Sequence, residues 1–386
     1  MKIATNVHRD VFGGISISNL ALFDWLEPRE EIILGIEYTG SRHMRAATVF
    51  RRFEPAFFQH HVINCFDLLK KHPWQKVHGE RFLRWRWAEL IKETKKLLLE
   101  ERPDIVLING TYFAPWILST VAKDLGIPVV LRYAGVLYRE TENYKFHERQ
   151  RLLQYERFIA NTADTIVFPS SLCQKVVEEE VLGKKVKNGF IVPNPVHRPA
   201  VKHVQHTKRA IAAIGRWTAI KNFQKFAEIH EALQAEEWKH RAYIVTSSTN
   251  IGKIIPESIL QIPPMSQEKL NQFYAELGLV IIPSHFETFC NVAAEAIFAG
   301  TPVLISRRVG IAEFFQAAGL ERMIIPSFSN TELATQKVKE LCGTKISKKE
   351  KLALWKLLNP HLVHKHLISI LEDTVYDQKK KRKDVI

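Results

Sequence analysis

Short runs of β-branched and aliphatic residues recur along this chain, each followed by a stretch with helical spacing. KIATNV (Lys2–Val7), DIVLING (Asp104–Gly110), PVVLRYA (Pro128–Ala134) and DTIVFPS (Asp164–Ser170) form one set. AIAAIGR (Ala210–Arg216), AYIVTSS (Ala242–Ser248), LVIIPS (Leu279–Ser284) and TPVLIS (Thr301–Ser306) form a second. Apolar runs this short, alternating with helices, are the mark of parallel sheets covered on both faces. Two sets predict an α/β protein of two Rossmann-like units. Between them lies IVPNPVHRPAVKHVQHTK, rich in proline and without helical spacing, as an interdomain linker would be. The expected division is an N-terminal domain over 1–195, a linker over 196–208, a C-terminal domain over 209–365, and a C-terminal helix with a basic tail over 366–386. From Ser347 onward the spacing is helical, and five consecutive basic residues, Lys379 to Lys383, are expected to be solvated or frayed.

Composition narrows what such a chain can be. Hydrophobic residues at 46% and charged residues at 25% exclude a disordered or collagen-like chain. Apolar runs such as Leu279 to Pro283 are far too short to cross a bilayer, and MKIATNVHRD lacks a signal-peptide core. A cytoplasmic protein is expected. Cys65, Cys173, Cys290 and Cys342 are scattered without a CxxC pair, so neither a zinc site nor a disulfide framework is signalled. A net charge of +14 points to an acidic partner: a phosphate-bearing substrate, an anionic membrane surface or nucleic acid.

One stretch, SHFETFCNVAAEA (Ser284–Ala296), places Glu287 and Glu295 in a segment otherwise apolar enough to bury. In open α/β sheets ligands bind beyond the carboxyl ends of strands, where loops feed helix N-termini. The pattern predicts a strand ending at Ser284, a loop HFETFC, and a helix from near Asn291 to Ala299 stopped by Gly300. Free backbone N–H groups at such a start attract phosphate, and a nearby carboxylate accepts hydrogen bonds from sugar hydroxyls. The plainer alternative is that Asn291 is an N-cap and Glu295 complements the helix dipole.

The segment ETFCNVAAEA followed by IFAGTPVLIS resembles the E-x7-E motif of the retaining glycosyltransferases of family 4, which have the GT-B fold. Further segments match that family in order: GGISISNLA (Gly13–Ala21), IVPNPV (Ile191–Val196), GRWTAIKN (Gly215–Asn222) and VGIAE (Val309–Glu313). The resemblance implies two Rossmann-like domains facing each other across a cleft, with C-terminal helices packing back on the N-terminal domain. It also implies transfer of a sugar from a nucleotide diphosphate to a hydroxyl acceptor with retention, in building a cell-surface polysaccharide, glycolipid or similar glycoconjugate. By the resemblance, Arg216 and Lys221 hold the diphosphate, Glu287 meets hydroxyls of the transferred sugar and Glu295 the ribose. Backbone amides of Phe289, Cys290, Asn291 and Val292 meet the sugar or diphosphate, and Gly14 lies against the donor phosphates. Gly13, Asn109, Arg132, Tyr133 and Gly135 fall on the acceptor side. Cysteine at 290 replaces the glycine usual in the family, and Ala134 stands where many members carry histidine. That second departure keeps two alternatives open: a GT-B module that binds nucleotide sugar or glycan without transferring it, and a sugar-nucleotide epimerase of the same fold.

No D-x-D pair is present, and two cationic side chains can replace a metal at the diphosphate, so no essential divalent ion is expected, no metal ligands are assigned, and the nucleotide sugar is a co-substrate rather than a cofactor. Between Arg42 and Lys96, 13 Lys or Arg face 5 Asp or Glu. Within that segment, GERFLRWRWAELIKETKKLLLE predicts one helix with Leu83, Trp87, Leu90, Ile91, Leu97 and Leu98 inward and Arg81, Trp85, Lys92 and Lys96 outward. The outward face suits an anionic lipid surface or a lipid-linked or polyanionic acceptor, or is simply a solvated helix with one exposed Trp. No recognised nucleic-acid motif accompanies the charge, so nucleic acid is not the expected partner.

Overall fold

The computed structural model describes residues 1–7, 14–29, 31–39, 52–64, 79–198, 209–247 and 255–383. Gly13, Cys65, Ser248 and most of the expected linker (199–208) lie outside these residues. Two compact units form. The first comprises Met1–Pro169, Cys173–Val192 and His361–Ile386; the second comprises Ser170–Leu172 and Pro193–Pro360.

In the first unit, strands β1 (Lys2–Asn6), β2 (Ile32–Thr39), β3 (Phe58–Asn64), β4 (Ile105–Asn109), β5 (Val129–Arg132), β6 (Thr165–Phe168) and β7 (Gly189–Ile191) make one parallel sheet in the order β3-β2-β1-β4-β5-β6-β7. Every residue of β4, β5 and β6 is buried, as continuous apolar runs demand in a sheet with helices on both faces. The second unit repeats the design with β8 (Ala210–Ile214), β9 (Arg241–Val245), β10 (Ile259–Ile262), β11 (Leu279–Ile282), β12 (Val303–Ser306) and β13 (Ile324–Ile325), ordered β10-β9-β8-β11-β12-β13. All eight runs read from the sequence are strands. Those not read as strands are mostly peripheral. The edge strands β10 and β3 carry polar or exposed positions, and β13 has only two residues, so none shows the unbroken apolar run of a central strand.

The C-terminal helix Pro360–Lys383 returns to the first unit. Val363, Leu367, Ile368, Ile370 and Leu371 join Ile3, Leu22, Phe23, Ile105 and Val130 in one core. Polar stitches continue the contact: the hydroxyls of Thr165 and Thr374 lie 2.9 Å apart, and Gln378 Nε2 donates to Asp164 Oδ1 at 2.6 Å. The helix persists through Lys383, so the basic run that looked frayed is helical.

A difference from expectation lies at Trp87. The expected single helix is two, Glu80–Arg86 and Ala88–Glu101, because Trp87 leaves helical geometry with φ −102° and ψ 17°. Its indole is buried, stacked on Phe113 at 5.1 Å and donating Nε1–H to Tyr155 Oη at 3.0 Å. Leu83, Leu90, Leu97 and Leu98 are buried and Ile91 half-buried, while Arg81, Trp85, Lys92 and Lys96 are exposed.

Since Leu371 is completely buried and shares its core with the first sheet, Leu371→Ala is expected to cost about 2–5 kcal/mol of stability. Leu352, exposed on the helix Lys348–Leu358, provides the contrast: Leu352→Ala is expected to stay within about 0.5 kcal/mol. Chemical denaturation of both variants checks the pair.

Candidate functional site

In the second sheet the chain leaves β8 toward β9 on one side and β11 toward β12 on the other. At such a switch point the two loops diverge and leave a crevice beyond the carboxyl ends of the neighbouring strands. The loop after β8 carries Gly215, Arg216 and Lys221; the loop after β11 carries Ser284, His285 and Glu287. The loops are tied together by backbone, with His285 N–H donating to Ile220 C=O at 2.8 Å, and by Asn222 Nδ2 donating to Pro283 C=O at 3.2 Å.

Across this junction Lys221 Nζ lies 2.9 Å from Glu287 Oε2. Ser284 Oγ donates to the other carboxylate oxygen at 2.6 Å. Burial pulls the Lys221 ammonium toward a lower pKa, but the Glu287 carboxylate beside it wins and leaves it raised, so Lys221 stays charged. Arg216 is exposed and makes no hydrogen bond or ion pair among the described residues. The backbone around Glu287 is pinned on its far side: Glu287 N–H donates to Arg308 C=O and Gly310 N–H to Glu287 C=O, at 3.1 and 2.9 Å. A Cβ on Gly310 would fall 2.1 Å from Thr288 O, so only glycine permits that approach.

The helix after the loop runs Asn291–Ala299 and ends on Gly300 in the left-handed region, as its sequence predicts. Cys290 precedes it with φ 94° and ψ 82°, a conformation that costs any side chain but glycine's. That gives a backbone reason for the glycine usual here. The cysteine keeps the conformation with its thiol buried in the core against Glu287, where burial first, and that charge second, push the thiol pKa well up. Phe289 is buried edge-on to Phe314. Asn291 does not cap the helix; its Oδ1 accepts from Asn194 Nδ2 at 3.0 Å. No side-chain oxygen caps the helix start; the Ala293 N–H turns to the Cys290 thiol, and the amides of Asn291 and Val292 before it are of the kind a helix start offers an anion. One turn in, past half-buried Val292, Glu295 accepts from Tyr274 Oη at 3.0 Å. Burial raises its pKa and the tyrosine offsets part of that rise. Tyr274 and Ser284 are site residues that sequence reading missed; only their positions near the end of a helix and just past a strand hinted at them.

Gly14, assigned to the donor phosphates, and the residues assigned to the acceptor side are spread through the first unit. Gly14 opens the helix Gly14–Leu26 after β1. Asn109 ends β4, and its groups are occupied within the sheet: its N–H meets Asn6 Oδ1, its Nδ2 donates to Thr5 Oγ1, and its C=O accepts from Asn6 Nδ2, at 2.8, 3.0 and 2.9 Å. Arg132 and Tyr133 are buried at the end of β5, on opposite faces: Arg132 Nη2 reaches Ser18 Oγ at 2.6 Å, while Tyr133 stacks on Phe168. Beyond them, Gly135 has Glu140 Oε1 so near that a Cβ would fall 2.1 Å from it. The following turn is held by Glu156, fully buried, whose two oxygens accept from the backbone N–H of Leu137 and Tyr138 at 2.9 Å each. No charge pattern in the sequence announces Glu156, because its partners are main-chain amides. Among the described residues no group of three or more His, Cys, Asp or Glu could hold a metal, and no helix is long and apolar enough to cross a membrane.

Comparison with known proteins places this architecture. Residues 42–198 match the profile described as Glycosyltransferase Family 4, and residues 264–351 match Family 4 Glycosyltransferase in conflict systems. Both matched stretches are thus similar to glycosyltransferases of family 4. It is 37% identical over 57 residues (15% of this chain, 13% of the relative) to a D-inositol 3-phosphate glycosyltransferase of Acidothermus cellulolyticus. Over 50 residues (13% of each chain) it is 48% identical to a lipopolysaccharide 1,2-N-acetylglucosaminetransferase of Salmonella typhimurium. A UDP-N-acetylglucosamine 2-epimerase of Methanococcus maripaludis is 22% identical over 191 residues, 48% of this chain and 49% of its own length. The match thus spans from about an eighth to about half of these curated relatives. Among solved structures, sucrose-phosphate synthase from Thermosynechococcus elongatus superposes with a TM-score of 0.71 at 14% identity, covering 97% of this chain and 98% of that one. A trehalose-6-phosphate structure from E. coli bound with UDP-2-fluoro glucose gives 0.66 at 10% identity, covering 97% and 99%. At these identities the likeness is one of fold, and that fold is GT-B.

Burial raises the Glu156 carboxyl from an ordinary 4.5 to about 7, against the two amides that favour its charge. The folded state then holds a proton that the unfolded chain has released, so this contribution to stability is present below pH 4.5 and lost as pH rises to about 7. Relative to Glu156→Gln, the protein is expected to lose on the order of 3 kcal/mol across that window. Urea denaturation of both proteins at several pH values checks the difference.

Proposed function

We propose that this protein transfers a sugar from a nucleoside diphosphate sugar to a hydroxyl acceptor with retention of anomeric configuration. The observation that carries the proposal is the junction of Lys221 and Glu287 at the switch point of the second sheet, one loop away from an uncapped helix start. Breaking the anomeric C–O bond leaves negative charge on the departing diphosphate and positive charge on the sugar ring. Lys221 and exposed Arg216 supply cations for the first, and the open amides at Asn291 and Val292 supply aligned donors. Glu287, already accepting from Ser284 and Lys221, is held to accept from hydroxyls of the transferred sugar. Glu295, oriented by Tyr274 Oη, accepts from the ribose. The leaving phosphate takes the acceptor's proton, so alanine at 134 is compatible with turnover. With two cations at the diphosphate no divalent ion is required.

The acceptor belongs to a cell-surface polysaccharide, glycolipid or similar glycoconjugate, and the exposed face of Arg81, Trp85, Lys92 and Lys96 suits an anionic membrane surface where such acceptors are built. Similarity to the Methanococcus epimerase over 191 residues supports a second reading, epimerisation of the nucleotide sugar itself. A binding module without turnover is the third.

Nucleoside diphosphate sugars are expected to raise the melting temperature of the intact protein, and reactions with and without acceptor separate the readings. Transfer needs both substrates, epimerisation needs donor alone, and a binding module releases no product. Lys221→Ala is expected to lower kcat by about 100- to 1000-fold, as losing one transition-state donor does, and EDTA to leave the rate unchanged. Tyr274→Phe acts on donor binding and is expected to raise donor KM by about 5- to 10-fold, the value of one charge-assisted hydrogen bond. A donor that neither binds nor depends on Arg216, Lys221 or Glu295 would remove the site assignment. The anomeric proton coupling of the product decides retention.

A further inference from the structure

Arginine is seldom buried without a carboxylate, because its guanidinium carries a charge that cannot be discharged and donors that need acceptors. Arg132 is 5% exposed. Its hydrogen bond among the described residues goes to a neutral partner, Ser18 Oγ at 2.6 Å, and no Asp or Glu pairs with it. Burial alone acts on its charge, pulling the pKa down to about 10. Two half-buried arginines of the same unit do have carboxylates: Arg84 is forked onto Asp124 at 2.8 and 3.1 Å, and Arg139 sits between Glu142 and Glu180.

Position sharpens the contrast. Arg132 is the last residue of β5, and its Cα pairs with Asn109 at the end of β4. Strand β4 neighbours β1 across the switch point of the first sheet, where the chain leaves β1 toward β2 and β4 toward β5. Ser18 lies just beyond the first turn of the helix that follows β1. The guanidinium therefore stands beyond the carboxyl ends of the strands, beside the start of a helix of 13 residues whose dipole also favours negative charge.

We infer that Arg132, oriented by Ser18, is an anion-binding residue of the acceptor subsite in the first unit, and that the acceptor carries a phosphate group. A phosphate oxygen pair matches the planar fork of guanidinium donors, and Ser18 Oγ–H, with its oxygen already accepting from Arg132, is free to donate to a third oxygen. The inference rests on the glycosyl-transfer reading above and adds the chemical class of its acceptor. The phosphate belongs either to a soluble sugar phosphate or to a lipid-linked one; the recognition chemistry is the same.

The test separates this subsite from the donor site, which also attracts phosphate. In a full-length Arg216→Ala, Lys221→Ala background, calorimetric titration with inorganic phosphate is expected to show one saturable site. Adding Arg132→Gln is expected to weaken that site by about 10- to 100-fold, the range for losing hydrogen bonds to a charged group. Phosphate binding that is absent in this background, or unchanged by Arg132→Gln, overturns the inference. Loss of nucleoside diphosphate binding to the unmutated protein would instead sink the donor reading and leave this titration to be judged separately. If Arg132→Gln does not fold, Ser18→Ala and Arg132→Lys carry the test. Each should weaken phosphate measurably, whereas an arginine that only pins helix to sheet would change the melting temperature and leave phosphate affinity as it was. Competition by glucose 6-phosphate identifies a soluble source. Arg132-dependent flotation on phosphatidylcholine vesicles with phosphatidic acid, and none without it, identifies a lipid one.

Discussion

A parallel sheet cannot close its own carboxyl edge where successive crossovers leave in opposite directions, and both units of this protein are organised around such an edge. In the second unit the edge is bridged by charge. Lys221 from one diverging loop meets Glu287 from the other, and backbone hydrogen bonds on either side hold the loops at that separation. The pair is stable because each charge has the other as its nearest compensation in a partly buried place.

Helix starts complete both edges. In the second unit the left-handed turn at Cys290 sends the chain from loop to helix so abruptly that no side chain caps the first amides. In the first unit Arg132, with no carboxylate partner among the described residues, stands beside the helix Gly14–Leu26. Each is costly in the absence of an anion: unsatisfied donors in one case, a desolvated cation in the other. Such costs persist in a folded protein when binding recovers them, and here both fall at the carboxyl ends of parallel strands.

Much of this could be read from the residues in order. The central strands are buried on both faces, so their apolar runs are unbroken and all eight were legible. The helix Asn291–Ala299 was bounded by its own start and stop signals, and Glu287 and Glu295 stood out as charges in an apolar segment. Less legible were edge strands such as β10, which face solvent on one side and lose the pattern, and the break at Trp87, which depends on Tyr155 and Phe113 from elsewhere in the chain. Asn109 shows the opposite limit. Its type and its place at a strand end suggested a ligand contact, yet its amide is occupied by Asn6 and Thr5 across the sheet.

By itself the sequence determined the α/β class, the two repeating units and the family motif, since these follow from periodicity and spacing along the chain. Only the tertiary structure decided which polar groups face one another. That Glu287 is shared by Lys221 and Ser284, that Glu156 clamps main-chain amides, and that Arg132 has a hydroxyl where a carboxylate would be expected are facts of three-dimensional neighbourhood. The reason is electrostatic. The state and use of a buried charge depend on every group within a few ångströms, and in a parallel fold those groups arrive from distant strands and helices, 114 residues apart for Arg132 and Ser18.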